Sequence, residues 1–373
     1  MALGTATTYD LTAGVIVEID ELIRQIAPTE TPMQNSRGAD GRLLIGSSPC
    51  SQKKFEWQDD SILTPRSVLV GAITAGDTTI TVAAGEQLRF GTGHVLVVND
   101  EQLRVTGYGS TDELTVTRGF NSTTAAIAAS ADAILDLGVF LGEGSDPSAA
   151  RSSDWNNKWN MVQIQGPEQV AISTTEDMIP KYGLSMTQLD YQAAHRVVEM
   201  AIMYETTLLY GQRMEDAAAK MRQTGGLHWW ITNNGIVDST TTTITETAIL
   251  DQLETLWGVG GSPDLCQLSF KQKRKIGQFD STLVRLGREE DGRGNVVDYL
   301  DSDAGRLYFL VNRWIQDSDM FLYNSNQLKR RVLRPIQLEA LAKTGDSRKA
   351  QIVGEQGLQF VAPSQAGAFT ALT

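Results

Sequence analysis

The chain has 373 residues, 41% hydrophobic and 21% charged, with a formal net charge of -13 and a pI near 4.8. That length is a soft prior for two or three domains with ample material for a core. The acidic total argues against a dedicated nucleic-acid binder, because phosphate contacts need clustered Lys and Arg.

Cys50 and Cys266 lie far apart in no motif, which argues against a disulfide framework and for a reducing compartment. The opening MALGTATTYD lacks the basic-then-apolar pattern of a signal peptide. No apolar run approaches the ~20 residues that span a bilayer, so no membrane partner is expected.

In chain order, the first zone runs from Met1 to about Lys54. Ile16, Ile19, Ile23 and Ile26 recur at helical spacing over Val15–Ile26, and Pro28 and Pro32 stop that helix. The rest of the zone reads as an extended arm.

The second zone, Phe55 to Ile164, is β-rich. Short alternating runs at Thr79–Val82, His94–Val98, Gln102–Val105 and Glu113–Thr117 are separated by turn signals at Ala75-Gly76-Asp77, Asn99-Asp100 and Gly107–Asp112. Close strand spacing predicts a small barrel or sandwich. Gly142–Arg151 (GEGSDPSAAR) reads as a connector.

The third zone holds the longest predicted helix, about Thr187–Met214. Leu189, Ala193, Val197, Ala201, Tyr204 and Leu208 form one apolar stripe, and Ser185 with Gln188 fits a capping box. At ~1.5 Å per residue such a helix would be roughly 40 Å long and would need a long partner surface.

The fourth zone, about Gly225–Thr373, is mixed. Ile249, Leu253 and Leu256 mark a helix closed by Gly258, and a second helix begins near Ser269, capped with Gln272. Strands are predicted at Leu307–Asn312, Met320–Tyr323, Arg330–Leu333 and Ala350–Val353. Gly287–Asn295 is charged and Gly-rich and reads as a mobile loop. There is no repeat of solenoid period.

Nothing in this pattern points to chemistry. His94, His195 and His228 lie in different zones, none near a second ligand at metal spacing. Gly258–Pro263 lacks the Gly-Lys-Ser/Thr ending of a phosphate loop, and Asp301-Ser302-Asp303 lacks the glycine and terminal glutamate of a calcium loop. The basic runs Lys271–Lys275 and Lys329-Arg330-Arg331 read as solvated faces or inter-subunit salt bridges ahead of nucleic-acid contacts. Trp229-Trp230 reads as a packing anchor. No catalytic, cofactor-binding or metal residue is assigned, and the chain is expected not to be an enzyme.

Several segments resemble the tailed-bacteriophage major capsid family with the HK97-like fold. Ile26–Pro32 is similar to that family's arm motif, and Phe55–Ser61 to the start of its extended hairpin. Asn160–Ile164 and Val170–Ser173 resemble the hairpin's return, and the long helix its spine helix. Leu333-Arg334-Pro335 and Leu341–Asp346 resemble its closing strands. The departure is the block from about Arg66 to Leu137, which reads as a small β domain inserted at the hairpin's tip.

The resemblance implies an α+β fold. Its parts would be an N-terminal arm (1–54), an extended loop (55–165) carrying the β insert (66–137), a peripheral domain (166–225) with the spine helix, an axial domain (226–326) and a return to the peripheral domain (327–373). It implies self-assembly into hexamers and pentamers of an icosahedral head shell around double-stranded DNA, inside the host cytoplasm and then in the virion. Implied partners are further copies of the chain, a portal protein, a separate scaffolding protein, a decoration protein, and packaged DNA held non-specifically. Pro28, Pro32, Glu56, Trp57, Gln58, Arg334 and Lys343 are the implied assembly contacts. The competing reading is a virion decoration or binding protein whose β domain recognises a glycan or another structural protein. A hydrolase has no polar constellation to support it.

Some members of that family weld their shells by a lysine amine attacking an asparagine side chain. Here no lysine occurs from Phe55 to Asn157, and Lys158 stands at the hairpin's base. Mature particles are therefore expected to run as a single monomer band in denaturing gel electrophoresis; a covalent ladder would overturn this.

Overall fold

The computed structural model describes residues 30–35, 45–60, 65–140, 142–144, 155–181, 186–279, 285–290, 296–302, 305–343 and 345–373, with only the backbone over 285–290 and 296–298. The predicted helix Val15–Ile26, Pro28, Ser185 and most of the connector 142–151 lie outside the described residues. The chain divides into two compact units. One is Gln58–Asn156, and the other comprises the chain on both sides of it.

In the flanking unit the first elements among the described residues are a single helical turn, α1 (Pro32–Asn35), then β1 (Gly46–Pro49) and β2 (Lys54–Asp59). Strand β2 alternates strictly. Phe55 and Trp57 are buried and Glu56 and Gln58 exposed, the period of two that a half-buried strand requires.

The unit Gln58–Asn156 is all β. Its strands are β3 (Arg66–Val68), β4 (Thr79–Thr81), β5 (His94–Val98), β6 (Glu101–Tyr108), β7 (Glu113–Thr117) and β8 (Ala133–Val139), in the order β3-β8-β5-β6-β7-β4. The sheet closes on itself: Leu69 bridges Val82, and Val70 N donates to Thr81 O at 3.0 Å. Closure removes the free edges that would otherwise recruit other strands. Ile80, Leu96, Val98, Leu103, Val105, Leu114, Val116 and Ile134 fill the interior.

A buried ion pair organises this unit. Arg118 donates from Nε and Nη2 to the two carboxylate oxygens of Glu101, each at 2.7 Å. Glu101 also accepts from Gly119 N and Ala126 N, both at 3.0 Å, so its carboxylate is fully satisfied. Arg118 reaches on to the carbonyls of Thr74, Asp77 and Ala126, tying two loops to the ends of β6 and β7. Both side chains are under 10% exposed.

The chain returns through β9 (Asn156–Met161), which pairs with β2 as a two-stranded ribbon. Then come β10 (Gln163–Ser173), α2 (Thr174–Met178) and α3 (Gln188–Tyr210). The hairpin β11 (Met214–Asp216) and β12 (Met221–Gln223) and helix α4 (Leu227–Asn234) follow. Next are β13 (Ile236–Asp238), α5 (Glu246–Gly258), β14 (Leu265–Leu268) and α6 (Phe270–Ile276). The chain ends with β15 (Arg285–Glu290), β16 (Val296–Ser302), β17 (Gly305–Val311), β18 (Met320–Tyr323), β19 (Leu328–Ala340), β20 (Ser347–Phe360) and β21 (Gly367–Phe369).

Two sheets carry this unit. One has the order β1-β19-β20-β10; the other has seven strands in the order β13-β21-β18-β14-β17-β16-β15. Helix α3 covers the first sheet, where Met200 and Tyr204 meet Val170 and Ile352. Helix α5 covers the second, where Ile249, Leu253 and Leu256 meet Cys266, Leu268, Met320 and Leu322.

Helix α3 is shorter than expected at both ends, about 35 Å at ~1.5 Å per residue. Its cap is Thr187 rather than Ser185: Asp190 N donates to Thr187 Oγ1 at 3.2 Å, and that hydroxyl donates to Asp190 Oδ2 at 2.7 Å. It stops at Gly211, so Met214 belongs to β11. A Cβ on Gly211 would sit 2.4 Å from Thr224 O, and Gly226 N donates to Gly211 O at 2.7 Å. The start of α4 therefore abuts the end of α3, and only glycine fits there.

Other boundaries also shift. Trp229-Trp230, expected as a packing anchor, lies in helix α4, where Trp230 is completely buried. Leu341–Lys343, expected within a closing strand, lies in the connection between β19 and β20. Gly287–Glu290 belongs to β15, paired with β16, rather than to a loop. Ser269 caps α6 through Gln272 N at 3.5 Å, but the Gln272 side chain donates to Asp317 O instead of completing the box.

Arg118→Met should destabilise the all-β unit by about 3–5 kcal/mol, since it strands a buried carboxylate. Burial pushes the Glu101 carboxyl up, but Arg118 and the Ala126 and Gly119 amides outweigh it and hold it below the ordinary range. The stabilisation is therefore present above the carboxyl's unfolded pKa and lost as pH falls through the lowered one. Chemical denaturation against pH, for wild type and variant, measures both effects.

Candidate functional site

Among the described residues, no group of three or more His, Cys, Asp or Glu could hold a metal ion. The histidines stand apart: His94 Nδ1 lies 2.8 Å from Asp136 Oδ2, His195 packs on Tyr191, and His228 packs on Tyr210 and Phe321. What the chain does build is a set of polar anchors that hold extended segments in place.

The first anchor grips the segment Glu30–Asn35. Met33 is buried, and its N donates to Glu205 Oε1 at 2.7 Å. Asn312 Nδ2 donates to the same oxygen at 2.8 Å, and Gln34 Nε2 to Glu205 Oε2 at 3.2 Å and to Ala201 O at 2.8 Å. Arg330 Nη1 donates to Gln34 Oε1 at 3.4 Å. At the segment's other end, Trp314 Nε1 donates to Glu30 O at 2.8 Å, and Arg313 pairs with Glu30. Pro32 is half-buried at the first position of α1, where a missing N–H costs nothing. Glu205 itself is wholly buried on α3, and desolvation pushes its carboxyl above the ordinary range.

The second anchor is the root of the β2–β9 ribbon. Phe55 stacks on Trp57 at 5.9 Å, and Trp57 meets Trp230 at 5.2 Å. Arg213 lies 4.1 Å from the Trp159 ring and 4.5 Å from the Trp229 ring, a cation between two aromatic faces. Asn160 is fully buried and fully satisfied. Its Nδ2 donates to Gly225 O and Leu358 O, and its Oδ1 accepts from Gly225 N and Met161 N. One amide thus pins β9 to the start of α4 and to β20. Lys158 Nζ donates to Asn234 Oδ1 of the same chain at 2.7 Å.

The third anchor is Glu355 on β20, which accepts from Arg222 Nη2 at 2.6 Å and pairs with Arg334 Nη2 at 2.9 Å. Both neighbouring strands break register beside it: β10 between Gln165 and Glu168, and β19 on either side of Arg334.

The expected contact residues thus divide. Glu56, exposed, pairs with Lys54 at 2.6 Å, and Gln58 is exposed on the same face of β2. Trp57 points the other way into the core, so its side chain is used within the chain. Arg334 joins Glu355, and Lys343 is exposed near Asp346 at 3.7 Å. Pro28 is outside the described residues. Sequence reasoning missed Glu205, Asn160 and Arg213. A lone acid inside the apolar stripe of α3 was the one available signal, and it pointed to Glu205.

The family profile of the SU10 major capsid protein matches residues 3–373. No curated protein matches the chain. Among solved structures, the cyanophage A-1(L) capsid subunit is 11% identical with a TM-score of 0.52, covering 98% of this chain and 98% of that one. The capsid of Myoviridae phage XM1 is 10% identical with a TM-score of 0.51, covering 96% of this chain and 99% of that one. A chain from Mycobacterium phage Bobi is 9% identical with a TM-score of 0.51, covering 96% and 95%.

Glu205→Ala should release the Glu30–Asn35 segment, seen as new proteolytic cleavage there, and cost about 1–3 kcal/mol for the donors left unpaired. Because the Glu205 carboxyl is raised, its pH effect runs opposite to that of Glu101. Its stabilising share is full below the unfolded pKa and lost as pH rises through the folded one. Glu205→Gln, which cannot titrate, should remove that slope from a stability-versus-pH curve.

Proposed function

The chain belongs to the SU10 major capsid protein family and is a phage major capsid protein of HK97-like fold; from that premise we propose how it builds a head. Subunits associate as hexamers and pentamers that close an icosahedral shell around double-stranded DNA, through non-covalent contacts. The carrying observation is that the family match extends from residue 3 to residue 373.

In this reading the all-β unit is a domain inserted into the extended loop, where it packs between capsomers and reinforces the shell. Glu56, Gln58, Arg334 and Lys343 face neighbouring copies, with Pro28 and Pro32 on the arm. Trp57 serves by orienting β2. Repeated weak contacts suffice, because closed symmetry multiplies each of them. A portal protein, a scaffolding protein and a decoration protein are the expected partners, assembly takes place in the host cytoplasm, and the subunit performs no catalysis.

Electron microscopy of the expressed protein tests this directly. Uniform hollow shells or capsomers are expected, and a stable monomer under assembly conditions would count against it. Replacing Arg66–Leu137 by a short linker should weaken particles against heat or prevent assembly; unchanged thermostability would remove the reinforcing role.

A further inference from the structure

Hexamers and pentamers are closed rings, and around a ring each subunit meets the next head to tail. One surface must then fit a different surface of the same chain. Helices α5 and α6 offer such a pair, and none of the three anchors uses either of them. Helix α5 carries Glu246, Asp251 and Glu254 and no basic residue. Helix α6 carries Lys271, Lys273, Arg274 and Lys275 and no acidic residue.

Both helices pack on one face of the seven-stranded sheet, since Leu253 and Leu256 of α5 and Ile276 of α6 share a cluster with Cys266 and Met320. They sit over different strands. Gln252 Nε2 of α5 donates to Ile236 O of β13 at 3.1 Å, and a Cβ on Gly367 of β21 would meet the same amide at 2.7 Å. In α6, Lys273 Nζ lies 4.2 Å from the Phe309 ring of β17. Strands β18 and β14 lie between β21 and β17 in the sheet.

The helical period sets what each helix shows to solvent. Ile249, Leu253 and Leu256 are buried, and Asp251, Glu254 and Trp257 recur every three positions as one exposed stripe clear of them. Gln272 and Ile276 are buried, so Phe270, Lys271 and Arg274 stand out from α6. Trp257 is 65% exposed and Phe270 is 72% exposed, and among the described residues they are the exposed aromatics of this sheet and its two helices. Aromatic side chains are enriched at the centres of protein interfaces. Asp251, Glu254, Lys271 and Arg274 form no ion pair with another described residue.

We propose that the Asp251–Trp257 face of α5 in one copy docks on the Phe270–Arg274 face of α6 in the next copy around a capsomer, acid against base, with Trp257 packing beside Phe270. The inference rests on the shell reading. Charge selects this order. Contact of α5 with α5 would oppose carboxylates, and contact of α6 with α6 would oppose cations, whereas α5 on α6 neutralises both. The contact is therefore directional, as a ring requires. One exposed ion pair contributes little, and repetition around a closed ring multiplies it.

Single and paired charge reversals in the full chain test this. Glu254→Lys and Arg274→Glu should each lower the yield of capsomers or particles at least about tenfold, because each sets like charges face to face. Both positions are exposed, so circular dichroism and melting of the unassembled subunit should stay at wild-type values. The double variant E254K/R274E places opposite charges together again between adjacent copies and should recover most of the wild-type yield. Wild-type yield from either single variant, or no recovery by the folded double variant, would overturn the proposal even though wild-type shells form. Failure of the wild-type chain to form any particle would instead overturn the shell reading and this inference with it.

Discussion

Strands β19 and β20 run antiparallel from Leu328–Phe360 to Ala340–Ala350, and both cores of the larger unit that α3 touches hang on this pairing. Its inner half delivers Leu328, Leu358 and Phe360 to the cluster around Trp230 and Phe321. Its outer half delivers Ile352 to Val170, Met200 and Tyr204. Helix α3 lies across both, so its Tyr204 and Leu208, one turn apart, belong to different clusters. Without the long strand pair, neither the helix nor β10 has a surface to bury against, and an isolated helix of this amphipathic kind is marginal in water.

On this apolar frame the extended segments are positioned by buried polar groups. Glu205 receives the arm, Asn160 fixes the ribbon, and Glu355 sits where both neighbours of β20 lose register. Apolar contact is tolerant of sliding, whereas a carboxylate or amide with several matched donors has one satisfactory arrangement. A shell subunit must present the same arms in every copy, and directional anchors of this kind provide that. In the all-β unit the Arg118–Glu101 pair has the corresponding role, since it ties the Thr74–Asp77 and Ala126 loops to the start of β6.

Much of the secondary structure was legible locally. The runs at His94–Val98 and Glu113–Thr117 are strands with the expected ends, and Met320–Tyr323 likewise. The α5 stripe and its Gly258 end read directly from spacing. The long strands were read short. Strand β19 carries Lys329, Arg330, Arg331 and Arg334, and only its partner β20 makes that composition a strand. The capping residue of α3 was misplaced by two positions, because Ser185 and Thr187 each precede a plausible N3 side chain.

Composition and order by themselves determined that this is an acidic chain with a β-rich block, a long helix and a mixed region, and they carried the capsid resemblance, because periodicity and turn chemistry act over a few residues. Which polar residues serve as anchors was decided only in three dimensions. Glu205 lies more than 100 positions from Asn312 and from Met33, and Asn160 lies 198 positions from Leu358. Their meaning depends on loop closures that no local pattern encodes. The place of β10 at the end of its sheet among the described residues is likewise a property of strand order, since Gln169–Ser173 reads the same in a central strand as in an outer one.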